Sequence, residues 1–248
     1  MANFWRVVNE VIERADVLLL VLDSRLVDET RNSEIENKIR KMKKSLIFVM
    51  NKADLVNKDD LEKKKKQFPD CVFVSAKEGF GKTMLRNKIK ETARRNGIKT
   101  PKIFVGVLGY PNVGKSSLIN SLKGKSSAKT SIMSGYTKGL QKVRVDGEII
   151  MLDTPGVIPY QEKDMMKHSF IGTIDFVHCK EPDLVVMELM EKFPGKIEKY
   201  YGIEVQEDKE EEIEEIAHKI NILKKGGIPD VVRASRMILK DWQKGDIR

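Results

Sequence analysis

The sequence predicts an α/β domain, a mainly parallel sheet with helices on both faces, followed by a small all-α domain. Three observations carry this. Apolar runs of strand length recur at 17–22, 45–50, 71–74 and 103–108, each followed by a stretch of helical spacing. The fourth run leads straight into Gly109-Tyr110-Pro111-Asn112-Val113-Gly114-Lys115-Ser116, of the form Gly-x-x-x-x-Gly-Lys-Ser, and then into a helix start. Beyond about residue 176 no strand pattern survives.

Taken in order, Phe4, Val7, Val8, Val11 and Ile12 share one helical face. Residues 17–22 form a buried strand that ends in Asp23-Ser24-Arg25. Ser33 is the expected N-cap of a helix reaching about Met42, with Glu36 as its capping-box partner. The strand at 45–50 ends in Asn51-Lys52-Ala53-Asp54, and a short, very basic helix covers 58–67. The strand at 71–74 ends in Ser75-Ala76-Lys77, and the helix over 83–95 aligns Leu85, Ile89 and Ala93. Residues 124–139, rich in Ser, Gly and Lys, read as a flexible stretch. Residues 142–145 and 148–152 pair as a hairpin about an Asp146-Gly147 turn, and the second strand ends in Asp153-Thr154-Pro155-Gly156. Helices are expected at 182–193, 207–223 and 229–244.

The chain has 248 residues, 46 basic and 37 acidic, for a net charge of +9. Ahead of Lys180, 33 Lys and Arg face 21 Asp and Glu; from Lys180 onward 13 face 16. A basic first domain points to a polyanionic partner, although a solvated, Lys-rich surface gives the same count. Cys71 and Cys179 are the only cysteines and suit a reducing compartment. Asn9, Glu10, Glu13 and Arg14 interrupt any apolar leader, and the longest apolar run is too short to span a bilayer. The expectation is a soluble, cytoplasmic, monomeric protein that does not engage a membrane.

Four of the loops follow the carboxyl ends of predicted strands, where open α/β sheets bind ligands. A Gly-rich loop between strand and helix cradles phosphates. The amides of Asn112, Val113, Gly114, Lys115, Ser116 and Ser117 turn inward, and the helix dipole adds positive charge. Lys115 reaches the outer phosphates, and Ser116 offers its hydroxyl to a magnesium ion. In Asn51-Lys52-Ala53-Asp54, the Asp54 carboxylate can accept both adjacent donors of guanine, a pair that adenine does not present. The stem of Lys52 can lie along the base. Ser75, Ala76 and Lys77 bring a backbone N–H to the guanine oxygen, with Lys77 over the other face. Asp153 supplies a carboxylate to the magnesium shell, and Gly156 an N–H to the terminal phosphate. Each motif alone also reads as an ordinary turn. Their joint occurrence, each after its own strand, points to a guanine nucleotide.

Their order is unusual. The base-reading motifs at 51–54 and 75–77 precede the phosphate motifs at 109–116 and 153–156, the reverse of an ordinary GTPase. That is a circular permutation. On these motifs, and on Asp23-Ser24-Arg25, Ser134-Gly135-Tyr136-Thr137-Lys138-Gly139-Leu140-Gln141 and the closing stretch 234–245, the chain resembles the circularly permuted ribosome-assembly GTPases of the YlqF/YawG type. The resemblance covers nearly the whole chain; Ser24, Val27, Asp28 and Ser134 depart from the family's pattern. The loss of strand pattern places a domain boundary between Gly172 and Pro182, giving a GTP-binding domain over 1–175 and a helical domain over 176–248, to which the resemblance adds RNA contact. The resemblance also implies a GTP-hydrolysing switch in large ribosomal subunit assembly, with the large subunit or its RNA precursor as partner. Lys115, Thr137 and Gly156 would then serve catalysis, and Ser116, Thr137 and Asp153 would hold Mg2+. Val157 stands where many GTPases place a water-orienting glutamine, which predicts slow intrinsic hydrolysis stimulated by ribosomal RNA. The phosphate loop also resembles that of potassium-activated GTPases, in which an asparagine at the place of Asn112 helps hold K+; a plain loop hydrogen bond is the alternative for Asn112.

Three basic stretches are candidate RNA contacts: 63–66; Lys123, Lys125, Lys129, Lys138, Lys142 and Arg144; and Arg233, Arg236, Lys240 and Lys244 on one helix face opposite Ala234, Ile238 and Trp242. A GTPase of another RNA process, and a GTP-dependent RNA scaffold with negligible turnover, remain as alternatives.

Overall fold

The structure, a computed structural model, describes residues 2–68, 70–123, 140–159, 162 and 164–248. It divides into two compact units, Met1–Glu162 and Lys163–Arg248.

The first unit runs α1 (Ala2–Arg14), β1 (Val17–Asp23), α2 (Val27–Thr30), α3 (Ser33–Lys41), β2 (Ser45–Asn51), a 3-10 turn (Ala53–Leu55) and α4 (Lys58–Gln67). It continues through β3 (Val72–Phe73), α5 (Lys82–Arg95), β4 (Ile103–Gly109), α6 (Lys115–Leu122), β5 (Gln141–Arg144) and β6 (Ile149–Asp153). The strands form one sheet in the order β3-β2-β1-β4-β6-β5. All neighbours are parallel except β5, which runs antiparallel to β6.

Every residue of β1 is buried, as a strand covered on both faces requires. Its side chains alternate. Val17, Leu19 and Val21 join Leu85, Ile89, Leu118 and Ile119 in one core, while Leu18, Leu20 and Leu22 join Val8, Val11, Ile12, Ile35 and Ile39 in the other. Each fully buried aliphatic side chain contributes about 1.5–3 kcal/mol by leaving water. The register sets Asp23 beside Asn51, Val21 beside Gly109 and Val107 beside Asp153. The carboxyl ends of β1, β2, β4 and β6 therefore line one edge of the sheet, and the motifs that follow them emerge together.

Three local expectations are corrected. The N-cap of α3 is Asn32, whose side chain accepts from Ile35 N at 3.1 Å, not Ser33. Glu36 instead pairs with Arg31 at 2.6 Å, so no capping box forms. The hairpin closes on Val145 N to Ile149 O, leaving a loop of Asp146, Gly147 and Glu148 rather than a two-residue turn. The Asp146 carboxylate organises that loop by accepting from Glu148 N and Ile149 N.

The second unit holds α7 (Met165–Ile171), α8 (Pro182–Lys192), α9 (Lys196–Tyr201), α10 (Lys209–Lys219) and α11 (Val231–Lys244). Within this unit α7 packs against α8 and α11. Ala234, Ile238 and Trp242 are buried along α11 as the spacing predicts. The Trp242 indole N–H donates to Phe170 O at 3.0 Å, and its ring lies 4.9 Å from that of Phe193. Among the described residues no helix is long and apolar enough to cross a membrane.

Candidate nucleotide site

Four loops meet at the carboxyl edge of the sheet. The phosphate loop joins β4 to α6, and its turn depends on Gly114 at φ 93. A Cβ there would stand 2.3 Å from Asn51 Nδ2, closer than any side chain tolerates. Asn51 explains the crowding. Its Nδ2 donates to Val113 O at 2.8 Å, and its Oδ1 accepts from Ala76 N at 3.1 Å. One buried amide thus ties the loop after β2 to the phosphate loop and to Ser75-Ala76-Lys77. The sequence marked Asn51 only as part of a base-reading motif; the bridge spans 62 residues and leaves no local trace.

Ser75 is buried and its hydroxyl accepts from Glu78 N at 3.0 Å, which shapes the turn after β3. Asp54 begins no such network: its Oδ1 is buried with no hydrogen-bond partner among the described residues. A carboxylate oxygen orphaned in this way costs stability unless a ligand donor meets it.

On the phosphate side, Lys115 is buried, and its ammonium donates to Gly109 O at 3.0 Å and Tyr110 O at 2.6 Å. Burial pushes its pKa down to about 8, against the pull of the Asp153 carboxylate. Ser116 Oγ lies 3.4 Å from Asp153 Oδ2, while Asp153 Oδ1 is buried without a hydrogen-bond partner among the described residues. Burial also raises the Asp153 carboxyl, with Lys115 opposing. A hydroxyl, a carboxylate and a spare buried oxygen form a hard oxygen donor set, which suits magnesium.

The loop after β6 is pinned to the phosphate loop. Thr154 Oγ1 donates to Val107 O at 2.7 Å, and Val157 N donates to Gly109 O at 3.1 Å. A Cβ on Gly156 would stand 2.5 Å from Pro111 Cα, so only glycine permits this approach. Val157 is buried in the core with Leu108 and Leu152. Asn112 is exposed and takes φ 60, the left-handed region that asparagine tolerates. Lys77 is exposed, and Ser117 sits in the first turn of α6. Thr137, with Lys125, Lys129 and Lys138, lies outside the described residues.

Comparison with known proteins identifies the family and the fold. A family model described as 50S ribosome-binding GTPase matches residues 104–227. The chain is 43% identical over 245 residues to an uncharacterized GTP-binding protein of Methanocaldococcus jannaschii, covering 98% of this chain and 65% of that one. It is 32% identical over 254 residues to nucleolar GTP-binding protein 2 of Saccharomyces cerevisiae, covering 99% of this chain and 52% of the yeast protein. It thus spans about two thirds of the archaeal relative and about half of the yeast one. Among solved structures, GNP-bound YlqF from T. maritima has the same fold, with TM-score 0.66 and 22% identity over 97% of this chain and 93% of that one. The fold, the reversed order of its loops and the family match lead to one assignment: this chain belongs to the 50S ribosome-binding GTPase family, in a circularly permuted form.

Proposed function

We propose that the chain binds GTP with magnesium, hydrolyses it slowly, and acts as a nucleotide-controlled switch on the large ribosomal subunit or its RNA precursor. The observation that carries the reading is the pair of buried oxygens with no hydrogen-bond partner among the described residues, Asp54 Oδ1 in the turn after β2 and Asp153 Oδ1 at the end of β6. Asp54 supplies the acceptor for guanine, with Lys52 and Lys77 flanking the base and Asn51, Ser75 and Ala76 holding the loops together. The amides of Asn112, Val113, Gly114, Lys115, Ser116 and Ser117 receive the phosphates. Ser116, Asp153 and, from the sequence, Thr137 would hold Mg2+, which neutralises phosphate charge when bound. The Lys115 ammonium leaves the Gly109 and Tyr110 carbonyls for the phosphates, and the Gly156 N–H stabilises the terminal one.

A buried valine at position 157 orients no water, which supports slow intrinsic turnover. Asn112, exposed at the loop, fits a role in holding K+. Turnover that is unchanged when sodium replaces potassium, with and without ribosomal RNA, removes that role. The exposed Arg233 and Lys244 on α11 and the exposed Lys63, Lys65 and Lys66 on α4 favour an RNA partner.

The decisive test is a fluorescent GDP titration with magnesium present. Saturable binding is expected, competed by GTP and not by ATP, and absent in Lys115→Ala; equal competition by ATP removes the reading. Co-sedimentation with immature large subunits in the GTP-analogue state, and not in the GDP state, tests the partner. The same Val157 observation favours a second reading, a GTP-dependent scaffold; phosphate release on ribosomal particles separates the two.

A further inference from the structure

Asp23-Ser24-Arg25 belongs to none of the four loops assigned above. We propose that Asp23, clamped by Arg25, is a positioning residue that holds Lys52 ready along the guanine base; this rests on the GTP-binding reading.

Asp23 closes β1 in register with Asn51. Its carboxylate is buried and shared by two cations. Oδ1 accepts from Arg25 N at 3.0 Å and Arg25 Nε at 3.1 Å; Oδ2 accepts from Arg25 Nη2 at 2.9 Å and lies 2.7 Å from Lys52 Nζ. The fork of Arg25 fixes both oxygens, so the carboxylate has one orientation to offer Lys52. The loop carrying Arg25 is closed on itself. Asp23 N donates to Thr30 Oγ1 at 3.1 Å, and Thr30 Oγ1 donates to Leu26 O at 2.6 Å. Burial works to raise the Asp23 carboxyl, and the charges of Arg25 and Lys52 overcome it, holding it well below the usual carboxylate range. The carboxylate therefore stays ionised at every pH at which the protein would work.

Lys52 is fixed at its other end as well. Its backbone takes φ 57, which a lysine rarely adopts. The following Ala53 N donates to Val74 O at 3.2 Å. With backbone and ammonium both held, the stem between them has little rotamer freedom left to lose when a base lies on it. Preorganisation of this kind raises affinity without adding a contact to the ligand. Asp23 acts only through Lys52, and a buried ion pair is by itself weak grounds for a purely stabilising role.

A double-mutant cycle tests this on the full chain, read by fluorescent GDP affinity with magnesium. Asp23→Asn is expected to weaken GDP binding about tenfold or more. Lys52→Met weakens it comparably, and the double variant binds within about twofold of Lys52→Met alone. Losses that multiply, or an Asp23→Asn affinity equal to wild type, overturn the proposal. Should Asp23→Asn lack a cooperative melt, Arg25→Gln takes its place in the cycle: a several-fold loss that vanishes in the Lys52→Met background supports the proposal, and a loss that persists there overturns it. Wild-type protein that binds no GDP removes the GTP-binding reading itself. Wild-type binding beside an indifferent Asp23→Asn removes only this inference.

Discussion

Asn51 bonds to two other loops at once, and Asp54, three residues on, has a buried oxygen bonded to neither. The two motif residues therefore fail differently. Asp54→Ala removes a buried oxygen that accepts no hydrogen bond among the described residues. Its expected effect is a loss of GDP affinity of at least about 100-fold, with the nucleotide-free protein no less stable than wild type and up to about 1–3 kcal/mol more so. A fluorescence titration and a thermal melt on the same sample check both halves. Gly114→Ala should instead destabilise the empty protein by roughly 1–3 kcal/mol. The new Cβ meets Asn51 Nδ2 at 2.3 Å, and the backbone sits at φ 93. Denaturant unfolding of the two variants side by side separates the cases. The residue types of both motifs were legible from spacing. That Asn51 faces Val113 was not, because the contact joins segments remote in the chain.

Helices of the second unit differ in how plainly they announce themselves. The apolar stripe of α11 was readable because Ala234, Ile238 and Trp242 repeat at a helical step over 14 residues. Trp242→Ala should cost about 3–5 kcal/mol, since the ring is fully buried; unfolding followed by circular dichroism measures it. The six residues of α9 are too few for a period to show, so its packing was hidden. That packing buries Glu198 and Glu212, with Lys209 Nζ 2.8 Å from the latter. Burial, and then the neighbouring Glu212, raise the Glu198 carboxyl above its ordinary value, with Lys209 opposing. The folded unit thus holds its proton more tightly than the unfolded chain does. Glu198 contributes stability that is present in full at low pH and is lost as pH rises through the raised value. Glu198→Gln keeps the neutral form at every pH. It should raise Tm at pH 8, leave it nearly unchanged at pH 4, and flatten the profile between; a wild-type profile already flat over that range counts against the assignment.

Across the whole molecule, the sheet order β3-β2-β1-β4-β6-β5 places β4, with its phosphate loop, between β1 and β6. Cutting the chain elsewhere and joining the old ends leaves those neighbours intact, so the permutation changes connection and not geometry. The net charge of +9 acts at the same scale. Binding to ribosomal RNA fragments should weaken steeply as salt rises, with log K falling linearly against log salt concentration. Reversing the charge of Arg233 and Lys244 together should reduce that slope by about 2. A flat salt dependence measured by filter binding points to a protein partner instead.

The alternation of strand and helix and the four loops at strand ends are legible in the sequence because each is written within a dozen residues, and their reversed order follows from where they stand along the chain. Tertiary structure decided the rest. It placed the cap of α3 on Asn32, gave α7 to the second unit, bound three loops together through Asn51 and gathered Asp23, Arg25 and Lys52 around one carboxylate. Asn51 and Asp23 find their partners only when separate strands lie side by side, and burial then sets the strength of those charges. No reading along one segment contains either distance or dielectric.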